Sequence, residues 1–162
     1  MAARKDLGLP AREIKILREI AAAVVQRKSA RVQGLVALFV GSGVRNQVRA
    51  AEVIAQESGR ELHRIAAGRY IGETEKNPGI IFRAATANQT VLFFDETDAL
   101  FSKRSDVKES HDRYANIEAS YFWQQIEDYP GLAILAFKTR KHIDASFLRR
   151  LRFVVTFPPR GT

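Results

Sequence analysis

The chain contains no cysteine. That excludes a disulfide framework and any thiolate chemistry at a metal or redox centre. It also lacks long apolar runs. None approaches the ~20 residues that a membrane-spanning helix requires. The first ten residues, MAARKDLGLP, hold no apolar core, so no secretory signal is expected and a cytoplasmic location is the default expectation. There is no internal repeat and no low-complexity tract in the 162 residues, a length that suits a single hydrophobic core. Acidic residues are the scarcer charge, 18 against 26 basic ones, for a net charge of +8. Such an excess favours polyanionic partners. The basic residues are nevertheless scattered, apart from a concentration over 138–152, and aromatics are not interleaved with them. A solvated basic surface is therefore expected, and nucleic acid is not the expected partner.

What is present is an apolar fraction of 46%, enough for a globular fold. Pro10 suits the first position of a helix, where its missing N–H costs nothing. Ile14, Leu17, Ala21 and Val24 then recur at helical spacing, and the helix should end near Gln26. LVALFV, over Leu35–Val40, is a short continuous apolar run before glycine, as in a strand buried on both faces. A helix from about Asn46 to Gln56 should follow, with Gly59 as its stop. ELHRI reads as a second, weaker strand. Pro78 permits a helix starting near Asn77, with Ile81, Ala84 and Ala85 inward. TVLFFD is a third strand, and a long helix over SHDRYANIEASYFWQQIEDY should turn Ile117, Tyr121 and Ile126 inward. LAILAF and FVVTF are the fourth and fifth strands, with a short helix around Ala145–Arg150 between them. Strands alternating with helices imply right-handed crossovers and a parallel sheet covered on both faces, an α/β fold.

The clearest chemical signal is VLFFDETDALF. Four apolar residues bury a strand, and Asp95 and Glu96 emerge at its carboxyl end, the edge at which open α/β sheets bind ligands. Two adjacent carboxylates there repel each other unless a cation neutralises them. This is the pattern of a Walker B motif, in which the aspartate holds Mg²⁺ and the glutamate orients or deprotonates the attacking water. Upstream, LFVGSGVRNQVRAAEVIA has the strand, turn and helix of a phosphate loop.

YIGETEKN, LFFDETDALFSKRSDVKESHDRYANIE and GLAILAF with DASFLRRLRF resemble the ATPase core of bacterial AAA+ proteins, in particular the remodelling and unfolding ATPases. The resemblance runs from about Leu9 to Arg160. It implies a three-layer αβα, P-loop NTPase-like fold with a five-stranded parallel sheet of order 5-1-4-3-2. It divides the chain into an N-terminal helix and link (1–30) and the large αβα subdomain (31–162), with the family's helical lid absent. It also implies ATP and Mg²⁺ as cofactors, a homo- or hetero-oligomeric ring, usually hexameric, and a protein substrate.

Carried over residue by residue, the resemblance is uneven. The Walker A pattern Gly-x-x-x-x-Gly-Lys-Ser/Thr meets Gly41, Ser42, Gly43, Val44, Arg45, Asn46, Gln47 and Val48, of which only Gly41 matches a required position. Asn46 replaces the glycine that lets the backbone approach phosphate. Gln47 replaces the lysine that meets the β and γ phosphates, and Val48 the hydroxyl that ligates Mg²⁺. Arg45 and Arg49 bring charge nearby without the lysine's geometry. Lys138 stands at the sensor 1 position, where the family has asparagine. Its ammonium either pairs with Asp95 or Glu96 in place of Mg²⁺ or faces solvent at a strand end. Tyr70, Ile71 and Gly72 match the aromatic–aliphatic–glycine pore loop that grips extended polypeptide. Arg149 and Arg152 match the two arginines that reach a neighbouring subunit's γ-phosphate. Catalysis would thus rest on Glu96, Asp95, Arg149, Arg152 and Lys138, with Asp95 as the metal ligand. The expected function is an AAA+ ATPase module that couples ATP hydrolysis to protein remodelling, weakened or inactive in this copy. The alternatives are a nucleotide-independent scaffold subunit and, less favoured, a basic nucleic-acid-associated module.

Overall fold

The computed structural model describes residues 8–26, 35–41, 43–66, 89–98, 123–141 and 153–158, with residues 143, 148 and 151. Helix α1 (Ala11–Gln26) is followed by β1 (Leu35–Val40), α2 (Val44–Ser58), β2 (Leu62–Ala66), β3 (Val91–Asp95), β4 (Leu132–Phe137) and β5 (Phe153–Thr156). The five strands form one sheet in the order β2-β3-β4-β1-β5, with every pairing parallel. Read from the other edge this is the expected 5-1-4-3-2.

The apolar strand runs explain the layering. Side chains alternate between faces along a strand, so a strand that is apolar throughout must be covered on both sides. Ala37 and Phe39 of β1, Val91 and Phe93 of β3, Ile134 and Ala136 of β4, and Phe153 and Val155 of β5 share a buried cluster with α1 and α2. Leu38, Val40, Leu92, Phe94, Ala133, Leu135 and Phe137 project the other way, onto Ile126 and Tyr129. Residues 123–128 are helical, which supplies the third layer. Phe39 anchors the first face, with its ring tilted against Phe157 at 5.1 Å and edge-on to Phe93 at 6.3 Å between centroids.

Element edges differ from expectation by a residue or two. Helix α2 begins at Val44 rather than Asn46 and runs to Ser58. β2 is shifted by one residue to Leu62–Ala66, and β3 begins at Val91 because Thr90 lies before the ladder. Gly59 does stop α2: it adopts φ +68° and its N–H and that of Arg60 return to the last carbonyls, a left-handed cap that glycine enters without steric cost. In α1, Leu17, Ala21 and Val24 are buried as expected, Ile14 is only partly covered, and Ile20 is a further buried position. Pro10 accepts from the amides of Glu13 and Ile14. The Glu13 carboxylate in turn accepts the Thr156 N–H of β5 at 3.0 Å, tying α1 to the sheet edge. The helix expected near Asn77 and most of the helices expected over 110–129 and 145–150 lie outside the described residues.

Tyr129 closes the lower end of the sheet. Its hydroxyl donates to the Thr90 carbonyl just before β3. Burial pushes the phenol well above its ordinary 10.0, with Arg60 pulling weakly the other way. Since the native pKa is raised, the neutral phenol's contribution to stability is complete below pH 10.0 and is lost as the pH climbs beyond it. Urea unfolding against pH should therefore show stability falling above that point, and Tyr129→Phe should flatten the fall, although it loses about 1 kcal/mol of hydrogen bonding at neutral pH.

Candidate functional site

The carboxyl ends of β1, β3 and β4 converge on one edge of the sheet, and the candidate residues gather there. Gly41 follows β1 directly. Its N–H donates to the Phe137 carbonyl of β4 at 2.9 Å, while the Phe157 N–H donates to Val40 at 2.7 Å. The backbone therefore enters the turn pinned between both neighbouring strands. Gly41 takes φ +147°, and a Cβ there would overlap the Phe157 carbonyl and sit 2.8 Å from the Phe157 Cβ. Only glycine meets both demands.

Gly43 is the N-cap of helix α2 and supplies no side-chain cap. Its carbonyl accepts the Gln47 N–H at 2.9 Å. The Gln47 side chain folds back over the turn and donates from Nε2 to the Gly41 carbonyl at 2.9 Å. Gln47 is 1% exposed. A neutral amide can be buried on one hydrogen bond where an ammonium would need a counter-charge. Val48 packs its hydrocarbon against the core on the α1 and α2 face. Asn46 is half-buried, Arg45 and Arg49 are exposed, and Ser42 lies outside the described residues.

On β3, Asp95 is diagonal to a residue that sequence reasoning missed. β2 and β3 pair with Arg64 opposite Phe93 and Ala66 opposite Asp95. Arg64 thus stands on the same face as Asp95, two residues back on the next strand, within reach of a long side chain. Its Nε donates to Asp95 Oδ2 at 3.1 Å, and its Nη2 donates to the same oxygen. The remaining oxygen, Oδ1, accepts the Glu96 N–H at 2.9 Å. Arg64 is about half exposed and the Asp95 side chain 14% exposed. A pair so open to solvent contributes only ~0.5 kcal/mol, so its effect is to occupy the carboxylate rather than to hold the fold.

Glu96 is exposed and adopts φ +57°, unusual for a residue with a side chain. Thr97, fully buried, donates its hydroxyl to the Phe94 carbonyl. Both oxygens of Asp98 accept the backbone N–H of Lys138, at 2.9 and 3.1 Å. This fastens the ends of β3 and β4 together. Lys138 itself is exposed, and no ion pair joins its ammonium to Asp95 or Glu96 among the described residues. The pairing considered for Lys138 is therefore not the one formed: the cation at Asp95 is Arg64, because the β2 register brings it to the same face. Tyr70, Ile71, Gly72, Arg149 and Arg152 lie outside the described residues.

Beside this edge, Val44, Arg45, Val48, Arg49 and Glu52 of α2 and Arg64 of β2 line an open groove of about 610 Å³. Among the described residues no group of three or more acidic or histidine side chains is placed to hold a metal ion, and no helix is long and apolar enough to cross a membrane.

A five-stranded parallel sheet of this order, with a strand–glycine–helix turn beside an acidic strand end, defines the α/β class of P-loop nucleoside triphosphatases. Within that class, residues 49–159 match the family model described as "ATPase family associated with various cellular activities (AAA)". The chain belongs to this family. An AAA family ATPase of Sinorhizobium fredii (strain NBRC 101917 / NGR234), y4kL, whose function is uncharacterised, is 29% identical over 162 residues, covering 95% of the chain and 49% of the relative. The fold is also that of the FIGL-1 AAA domain. In complex with ADP, that domain superposes with a TM-score of 0.67 at 21% identity, covering 98% of this chain and 56% of the other. A second FIGL-1 AAA domain structure gives 0.61 at 22% identity, covering 89% and 51%. The chain thus spans about half the length of the relatives it matches.

The turn should tolerate little change. Gly41→Ala is expected to cost ~2–5 kcal/mol through overlap and backbone strain. Gln47→Ala, which leaves a partly buried carbonyl without this donor, should cost ~1–2 kcal/mol. Urea unfolding of both variants checks the order.

Proposed function

We propose that this chain is an AAA module of a protein-remodelling ring whose own nucleotide site turns over ATP weakly or not at all. The observation that carries the reading is Gln47. It stands where the family places the phosphate-binding lysine, and its amide is spent on the Gly41 carbonyl at 2.9 Å. No positive charge replaces the lysine at that point, and Val48 offers hydrocarbon where a hydroxyl would ligate Mg²⁺. Asp95 already carries a guanidinium. The residues present do not fit a tightly held Mg²⁺. One feature still favours an anion: the uncapped start of α2, with free N–H groups and the positive end of the helix dipole.

In this reading Tyr70, Ile71 and Gly72 grip an extended polypeptide in the ring's channel. Arg149 and Arg152 act on nucleotide held by a neighbouring subunit, so the module contributes to hydrolysis in trans even where its own site is silent. Glu96, at the strand end beside Asp95, keeps the position of the residue that orients water. FIGL-1's AAA domain binds ADP, which supports nucleotide as the ligand class here.

Thermal unfolding with and without ATP–Mg²⁺, followed by phosphate-release measurement, tests the reading. At millimolar ATP the melting temperature should move little, because a ligand stabilises only in proportion to its occupancy. Phosphate release should be slow or undetectable. Gln47→Lys combined with Val48→Thr should tighten ATP by about tenfold, some ~1.4 kcal/mol, with turnover still low because Asn46 and Lys138 remain. Brisk hydrolysis by the unaltered chain would end this reading.

A further inference from the structure

We propose that Arg64 takes the place of the divalent cation at Asp95, so that this carboxylate is neutralised from within the chain and needs no Mg²⁺. The proposal rests on the reading of Asp95 as the metal position, and it concerns a residue outside every motif of that reading.

Three acidic residues fall within four positions, Asp95, Glu96 and Asp98. Glu96 is exposed, where its carboxylate is solvated. The other two are partly buried, and each is satisfied by protein donors. Asp98 accepts the Lys138 amide with both oxygens. Asp95 accepts two guanidinium N–H groups at Oδ2 and the Glu96 amide at Oδ1. Asp95 is partly buried, 14% exposed, and among the described residues Arg64 is the cation that pairs with it.

The surroundings of Arg64 bias it in this direction. The groove that it lines also carries Arg45 and Arg49, against one acidic residue, Glu52. The groove therefore offers it little counter-charge, and the β2–β3 register sets Asp95 on the same face one diagonal step away. An arriving Mg²⁺ would have to shed water, displace a forked guanidinium and accept a carboxylate whose second oxygen is already bonded. It would find no hydroxyl at Val48 to complete its shell. Mg²⁺ dehydrates reluctantly and demands near-octahedral oxygen ligation, so the resident guanidinium holds the position.

The test uses the full chain and Mg²⁺ alone, without nucleotide, at constant ionic strength. Its outcome is therefore independent of whether the chain hydrolyses ATP. The wild-type melting temperature should be flat across millimolar Mg²⁺. Arg64→Gln should melt lower, and Mg²⁺ should restore it saturably. Asp95→Asn added to Arg64→Gln should abolish the restoration. Should Arg64→Gln fail to fold, Mn²⁺ binding to Arg64→Lys, read by water-proton relaxation, serves instead. Lysine keeps the charge but loses the fork, and Mn²⁺ affinity is expected to rise about tenfold over wild type. A saturable Mg²⁺ stabilisation of the wild type, lost in Asp95→Asn, would overturn the proposal. So would an Arg64→Gln variant as indifferent to Mg²⁺ as the parent, or equal Mn²⁺ affinities for the wild type and Arg64→Lys.

Discussion

The close approach of Gly41 to its neighbours is the constraint on which the functional edge depends. Its N–H is held by β4, its Cα lies against Phe157 beyond β5, and its carbonyl receives the Gln47 amide from the second turn of α2. Two strands distant in sequence and the helix that follows are fixed around one residue without a side chain. The direction in which α2 leaves the sheet follows from it, and with it the positions of Val44, Val48, Arg45 and Arg49 along the groove. Among the described residues, the contacts that make this geometry are internal to the chain.

The same self-sufficiency recurs at the other polar positions of the edge. Gln47 closes on Gly41, Asp98 on the Lys138 amide, and Asp95 on Arg64. The resemblance implies that Gln47 and Asp95 stand where an AAA domain would meet nucleotide and metal, and donors and acceptors there are most useful when left open for the ligand. Here each is used within the chain. The energies are modest, about 1 kcal/mol for a neutral hydrogen bond and less for an exposed ion pair. Their sum is comparable with the differential affinity that separates a tight nucleotide site from a weak one, since ~1.4 kcal/mol is already tenfold. A fold retained with its ligand contacts turned inward supports the proposal of a module that serves a ring by position more than by its own turnover.

Much of the architecture is legible in the sequence. LVALFV, VLFFD and LAILAF are too apolar to have a wet face, so their burial between two layers follows from composition alone. Pro10 and Gly59 mark helix ends by their backbone chemistry. The losses at Asn46, Gln47 and Val48 are equally plain, because a missing ammonium or hydroxyl cannot be supplied by folding. The edges of α2, β2 and β3 are less legible, since the last residue of an element depends on which neighbour its amide meets. The partner of Asp95 is legible only in outline: Leu62, Arg64 and Ala66 share one face of a strand, but which acidic residue they face depends on register.

By itself, the sequence determined the α/β class, the residues that could enter a buried sheet and the chemical groups available at its carboxyl edge. Those are properties of side chains and their spacing. Only the tertiary structure decided how the groups are paired. It set Arg64 rather than Lys138 on Asp95, gave Lys138's amide to Asp98, and spent Gln47 on Gly41. The pairings of Arg64 and of the Lys138 amide join residues 31 and 40 positions apart, and they follow from strand order and register, which no local pattern encodes.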